Sequence, residues 1–210
     1  METVSLPASK LVDTSASFRD RYLVMEGTMV HSHGPEGDHS HGETAFTTWL
    51  DPELAVEQAK AIRDAFVEAR PADEATFTEG FASLERDLLE LDERMEQAVT
   101  GKTGRPLMGS HPVYQYLARR YGLNLRAVHF EPDVFPDDGA WKDLEHVLEE
   151  HPARWMLWEG EPIAETAERL KGMGLQSVVF DPCGNRPATG DYLSILTSNA
   201  EGLERVFSAP

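Results

Sequence analysis

In the second half of the chain, short apolar runs alternate with stretches whose apolar positions fall at helical spacing. Arg105-Pro-Leu-Met-Gly109, residues 125–130, residues 154–158 and residues 176–180 each read as a strand. A helix is predicted after every one of them. Over 111–121 the apolar positions are Tyr114, Leu117 and Tyr121, and over 139–150 they are Trp141, Leu144, Val147 and Leu148. Residues 162–171 form a third helix, stopped by Gly172, and 191–207 a fourth. Strands that are continuously apolar, not alternating, belong to a parallel sheet covered on both faces. The predicted class is therefore α/β, with a four-stranded parallel sheet flanked by helices.

Upstream, Phe77, Phe81, Leu84, Leu88, Leu91 and Met95 recur at alternating steps of four and three, one apolar stripe on a long helix over 73–100. Asp73 is its expected N-cap and Gly101 its stop. At 1.5 Å per residue such a helix is about 40 Å long. It suits either a spine between two lobes or a core-facing helix of one domain. Asp51-Pro52 starts another helix over 52–69. Lys10-Leu-Val-Asp-Thr14 reads as a strand, and the remainder of the first seventy residues as loop. One strand and one helix cannot bury a core by themselves.

The chain has 210 residues and a formal charge of −18. That balance argues against nucleic acid or an anionic membrane as partner, since both need Lys and Arg to meet phosphate. The single cysteine, Cys183, allows no intrachain disulfide and no cysteine-based zinc ribbon. No run reaches the roughly 18 apolar residues of a membrane span, and the first ten residues lack the pattern of a signal peptide. As written, such a chain would stay in the cytoplasm.

Two features carry metal chemistry. His31, His33, His39 and His41 lie within eleven residues, interleaved with Ser, Gly and acids. Such a tract reads as a loop that captures Zn²⁺, Cu²⁺ or Ni²⁺ transiently, because His-x-His pairs are too close to close a rigid cage. The second feature is the set of turns at the ends of the predicted strands: Ser110-His111-Pro112, Glu131-Pro132, Glu159-Gly160-Glu161-Pro162 and Asp181-Pro182-Cys183-Gly184. Ligands of open parallel sheets bind outside the carboxyl ends of the strands. Imidazole with carboxylates is a ligand set for Zn²⁺ or Mn²⁺, and equally a general acid/base pair. A lone residue at one of these turns is more often a cap; their convergence points to a site. His129, His146 and His151 read as ordinary, and Cys183 as a small buried residue.

In order along the chain, four segments resemble one family. They are Trp49-Leu-Asp-Pro52; Ser110-His111-Pro-Val-Tyr114-Gln-Tyr116 with Arg120-Tyr-Gly-Leu123; Trp158-Glu159-Gly-Glu-Pro162; and Phe180-Asp181-Pro-Cys-Gly184 with Gly190-Asp-Tyr-Leu193 and Asn199. Together they are similar to the metal-binding, substrate-binding proteins of zinc and manganese ABC transporters, the ZnuA/TroA-like group, over roughly residues 45–207. The resemblance implies two α/β lobes joined by a rigid helix, with one ion held between the lobes and handed to a membrane permease. It implies His111 and Asp181 as metal ligands of the second lobe, with Glu159 as an orienting or substitute ligand, and a His-rich loop just before Trp49. Residues 1–72 would then be the end of a first lobe, with the His-rich loop over 28–45. Residues 73–100 would be the linking helix and 101–210 the second lobe. Most of the first lobe, with its own His ligand and a signal peptide, would lie outside this chain. A periplasmic or cell-surface location is implied, with Zn²⁺ as the ion and Mn²⁺ as the alternative. The chain departs from the family pattern at Thr47, which stands where a His precedes the Trp by two residues. The expected function is a non-enzymatic, solute-binding component of a metal importer. Two readings stay open beside it: a small metal-dependent hydrolase or lyase using His111, Glu159 and Asp181, and a metal buffer working through the His-rich loop. No nucleophile elbow or phosphate loop favours an enzyme; Gly101-Lys-Thr-Gly104 is too short for the latter.

Overall fold

The structure, a computed structural model, describes residues 7, 10–24 and 44–208. Helix α1 spans Pro52–Ala69 and α2 Glu74–Val99; four βα units come next. Their elements are β1 (Pro106–Gly109), α3 (Gln115–Tyr121), β2 (Asn124–Ala127), α4 (Asp138–Glu150), β3 (Trp155–Trp158), α5 (Ala164–Gly172), β4 (Gln176–Val179) and α6 (Tyr192–Ser208). The strands pair in parallel in the order β2-β1-β3-β4. Leu107 stands beside Leu125, Met108 beside Met156, and Leu157 beside Val178.

Side-chain alternation along these strands divides two cores. Leu107, Leu157 and Val178 join Leu117, Leu88, Met95, Leu203 and Phe207 on the face covered by α2, α3 and α6. Met108, Met156 and Trp158 join Trp141, Leu144 and Leu170 on the face covered by α4 and α5. The result is the expected α/β sheet with helices on both sides. Its topology also fixes a switch point: the chain leaves β1 towards α3 on one face and leaves β3 towards α5 on the other. Between the carboxyl ends of two adjacent strands that diverge in this way, open sheets have a crevice.

Several boundaries differ from the sequence reading. Residues 10–14 form no strand; a 3-10 helix, Ala16–Arg21, comes after them and buries Phe18. Helix α3 begins at Gln115 and not at 111, because residues 111–113 close a tight turn in which the Val113 N–H reaches the His111 carbonyl at 2.9 Å. Pro112 favours such a turn. Helix α2 starts without a side-chain cap from Asp73, and its end is marked by Gly101 at φ 73°. Its second half buries Leu88, Leu91, Met95 and Val99, whereas Phe77, Phe81 and Leu84 are only half-covered, beside α1.

Trp49-Leu-Asp-Pro52 is a device for joining elements. The Asp51 carboxylate, 4% exposed, caps α1 by accepting from the Glu53 N–H at 3.2 Å and takes the Arg119 guanidinium at 3.1 Å. Asp51→Ala is expected to cost about 2 kcal/mol in urea unfolding, a lost cap plus a stranded partner. Asp51→Asn should recover the cap alone; if alanine were neutral, this junction would carry no stability. A second tie links α3 to α2, where Arg120 and the Tyr121 hydroxyl converge on buried Asp92.

Candidate metal site

The carboxyl ends of the strands are held in line by backbone bonds that run past the last paired residues. The Ser110 N–H donates to the Leu157 carbonyl at 2.8 Å, Phe130 N–H to Ser110 O at 2.8 Å, and Phe180 N–H to Trp158 O at 2.7 Å. His111, Glu131, Glu159 and Asp181 are each the next residue in their chain segment. Because β1 lies between β2 and β3, His111 is flanked by Glu131 on one side and Glu159 on the other.

The geometry reflects that order. His111 Nε2 is 3.2 Å from Glu131 Oε1, and Nδ1 is 3.3 Å from Glu159 Oε1. The Nδ1 approach is off the line of a hydrogen bond, so this buried nitrogen has no hydrogen-bond partner. One ligand atom from each of His111, Glu131 and Glu159 falls within 4.8 Å of the others. Two ligands bound at about 2.1 Å to a tetrahedral ion stand a little over 3 Å apart, so Glu131 is at ligand spacing from Nε2, while Glu159 faces the other ring nitrogen. His111 is mostly buried, while Glu131 is open to solvent, so an ion would have an entry side.

Asp181 is not one of those three. Its strand, β4, neighbours β3, placing it two strand spacings, about 10 Å, from β1. Asp181 Oδ1 accepts from the Cys183 N–H at 2.7 Å, and Oδ2 carries no hydrogen bond among the described residues. Asn199, buried on α6, grips the Asp181 backbone on both sides: its Oδ1 accepts from the Asp181 N–H at 3.0 Å, and its Nδ2 donates to the carbonyl at 2.7 Å. Trp49 holds the same turn, its Nε1 donating to Pro182 O at 2.7 Å. Replacing Asn199 by Leu is expected to cost about 2 kcal/mol, because both backbone groups lose their partner. Thermal unfolding would measure it; a loss below about 0.5 kcal/mol would mean the turn holds without Asn199.

The site's electrostatics suit a cation. Tyr114 is fully buried, its hydroxyl donates to Phe180 O at 2.9 Å, and its ionisation is pushed well up by burial and then by the charges of Glu159 and Asp181. It is a neutral donor lying within the field of both carboxylates. Cys183, in the left-handed region at φ 55°, has its thiol pushed up to about 12 by burial and then by Asp181. It is a neutral thiol there, in keeping with a small half-buried residue.

His129 reads as ordinary in the sequence, yet its ring packs edge-on against His111 with centroids 5.6 Å apart. The β1–β2 register, carried two residues past its last pair, sets 129 beside 111, so the contact depends on strand pairing and no local signal marks it. His151 is a core residue, its Nε2 2.8 Å from the Leu107 carbonyl, and His146 is exposed on α4. Thr47 is buried, and its hydroxyl donates to Val113 O at 2.6 Å, on the turn that carries His111. Val24 and Thr44 form an isolated antiparallel bridge. His31, His33, His39 and His41 lie outside the described residues.

The chain is 24% identical over 212 residues to the zinc-binding lipoprotein AdcA of Streptococcus pneumoniae, covering 93% of this chain and 42% of that protein. It is 27% identical over 169 residues to the high-affinity zinc uptake system protein ZnuA of Yersinia pestis, covering 76% of this chain and 52% of that one. It therefore spans about half the length, or less, of these relatives. The Zn(II)-bound ZnuA-like domain of S. pneumoniae AdcA superposes with a TM-score of 0.75 at 19% identity, over 94% of this chain and 70% of that domain, a likeness of fold. Residues 3–206 match the family described as zinc-uptake complex component A, periplasmic, and the chain belongs to this ZnuA family.

Proposed function

We propose that this chain captures Zn²⁺ as the cargo of an ABC importer in the periplasm or at the cell surface and delivers it to a membrane permease. The observation that carries this reading is His111 at the switch point of the sheet, with one carboxylate at ligand spacing from Nε2 and a second beside its buried, unpartnered Nδ1. A small turn of the ring completes an Nδ1–H bond to Glu159 and leaves the Nε2 lone pair for the ion. A carboxylate behind a ligating imidazole fixes its tautomer and raises its basicity. His111 and Asp181 serve as ligands, the latter through its free Oδ2 from the outer strand; Glu131, on the other side of β1, lies beside His111 Nε2. Thr47 supports this turn through Val113 and is not a ligand. Residues 73–100 act as the linking helix, between residues 1–72 and the binding lobe over 101–210. His31, His33, His39 and His41 collect ions at low affinity and raise their concentration near the cleft.

Because ligands are few and partly open to solvent, the ion exchanges, as delivery requires. Titration calorimetry with Zn²⁺ and Mn²⁺ tests the reading on three proteins: the chain itself, a His111→Ala/Asp181→Ala double variant, and one with the four tract histidines replaced. The double variant should lose one distinct site that the tract variant keeps. Loss of binding only in the tract variant would overturn the reading, and tighter Mn²⁺ than Zn²⁺ would overturn the choice of ion.

A further inference from the structure

A cavity lies at the edge of the sheet opposite the metal site, by the amino-terminal ends of β1 and β3. It holds about 350 Å³, with Leu107, Val206, Phe207 and Trp155 as its apolar wall and Arg105 and Arg154 at its mouth. Leu107, Val206 and Phe207 are buried, Trp155 is half-buried, and both arginines are exposed. We propose that this cavity binds a small aromatic carboxylate.

The charge pattern is the first reason. In a chain of net charge −18, nine arginines of the described residues stand within 4.0 Å of a carboxylate of the same chain. Arg154 has no such partner among the described residues, although acids outnumber bases nearly two to one, 37 to 19. It lies at the mouth of the pocket, and a carboxylate is the group its planar, forked donors fit. The carboxyl end of α6, at Val206 and Phe207, opposes an anion with about half a negative charge; the full positive charge of Arg154 outweighs it.

The apolar wall narrows the ligand class. A phosphate would gain nothing from Trp155 and Phe207 and would bring a second negative charge to an acidic surface. An aromatic acid stacks its ring on indole and keeps one charge at the mouth. The volume is at the small end for ligand pockets, enough for one or two fused rings. The cavity shares no residue with the metal site, so the two bind independently.

The probe is 2-naphthoate, titrated onto the full chain by calorimetry and by amide NMR, with neutral 2-naphthalenemethanol as control. Expected are one-to-one binding, shifts at Leu107, Trp155, Val206 and Phe207, and affinity that falls with added salt. Arg154→Gln should weaken binding at least tenfold while zinc uptake stays unchanged, and the neutral alcohol should bind at least tenfold more weakly. Equal binding of the alcohol, unchanged affinity in Arg154→Gln, or shifts confined to the half-covered α1–α2 face around Phe66 and Phe77 would overturn the proposal.

Discussion

His111→Ala is expected to lower the zinc affinity of the sheet-edge site by more than about 100-fold, the upper end of what losing an outer partner costs a metal site. Among the described residues, His129 is the one other imidazole beside this site. Alanine leaves Glu131 and Glu159 facing each other across a gap, and two carboxylates without imidazole favour harder cations than Zn²⁺. Glu159→Gln keeps the shape but removes the charge behind Nδ1, and should cost between about 10- and 100-fold. His129 sits close enough to test for rescue: its ring lies 5.6 Å from that of His111, edge-on. If it moved in as a substitute ligand, His111→Ala/His129→Ala would bind more weakly than His111→Ala alone. Competition against a chromophoric chelator measures all four proteins. An unchanged affinity in His111→Ala would remove the sheet-edge site from the function.

The fold is largely readable because its strands are continuously apolar and its helices carry one-sided stripes. Those patterns are local, and they place every strand and helix from 106 onward to within a few residues. Helix α1 is readable to the residue, since Asp51-Pro52 announces its start. Where tertiary structure decides, the pattern misleads. Lys10–Thr14 looks like a strand by composition, but no neighbouring strand exists among the described residues to pair with it. The start of α3 slides because the residues after β1 are spent on the turn that presents His111.

Legibility of the candidate site divides in the same way. His111, Glu131, Glu159 and Asp181 stand out because each sits at the carboxyl end of a predicted strand, a rule that needs only sheet parallelism. Which of them share one shell depends on strand order, and order β2-β1-β3-β4 is invisible in sequence. It sets His111 between Glu131 and Glu159 and moves Asp181 one strand outward. The contacts that hold the outer turn are more distant still: Trp49 reaches Pro182, and the Tyr192 hydroxyl donates to the Trp49 carbonyl at 2.5 Å. Trp49 looks like part of a helix start, and it is also the brace of the turn carrying Asp181.

Trp141→Ala is the substitution expected to destabilise the chain most, by about 3–5 kcal/mol, the range for emptying a large aromatic site in a core. The indole is 1% exposed, packs edge-on against Phe130 with centroids 5.1 Å apart, and donates from Nε1 to the Pro136 carbonyl at 2.9 Å. Arg169 lies over its other side at 4.1 Å, a cation–π contact worth about 0.5–1 kcal/mol at an exposed site. For a chain of this size the loss should lower the melting temperature by about 10 °C. Trp141→Phe keeps part of the volume and loses the N–H, so it should fall between. The effect extends to the site, because Phe130, which rests on this indole, immediately precedes Glu131. Trp141→Ala should therefore weaken zinc binding through a looser Glu131, but by about tenfold or less, since the turn of His111 hangs from β1 and Leu157 instead. Calorimetric unfolding with and without Zn²⁺ separates the two effects. A stability loss below about 1 kcal/mol would show that this face of the sheet repacks around the gap, and zinc affinity falling as far as in His111→Ala would show that β2 and its carboxylate hold the ion more firmly than the imidazole does.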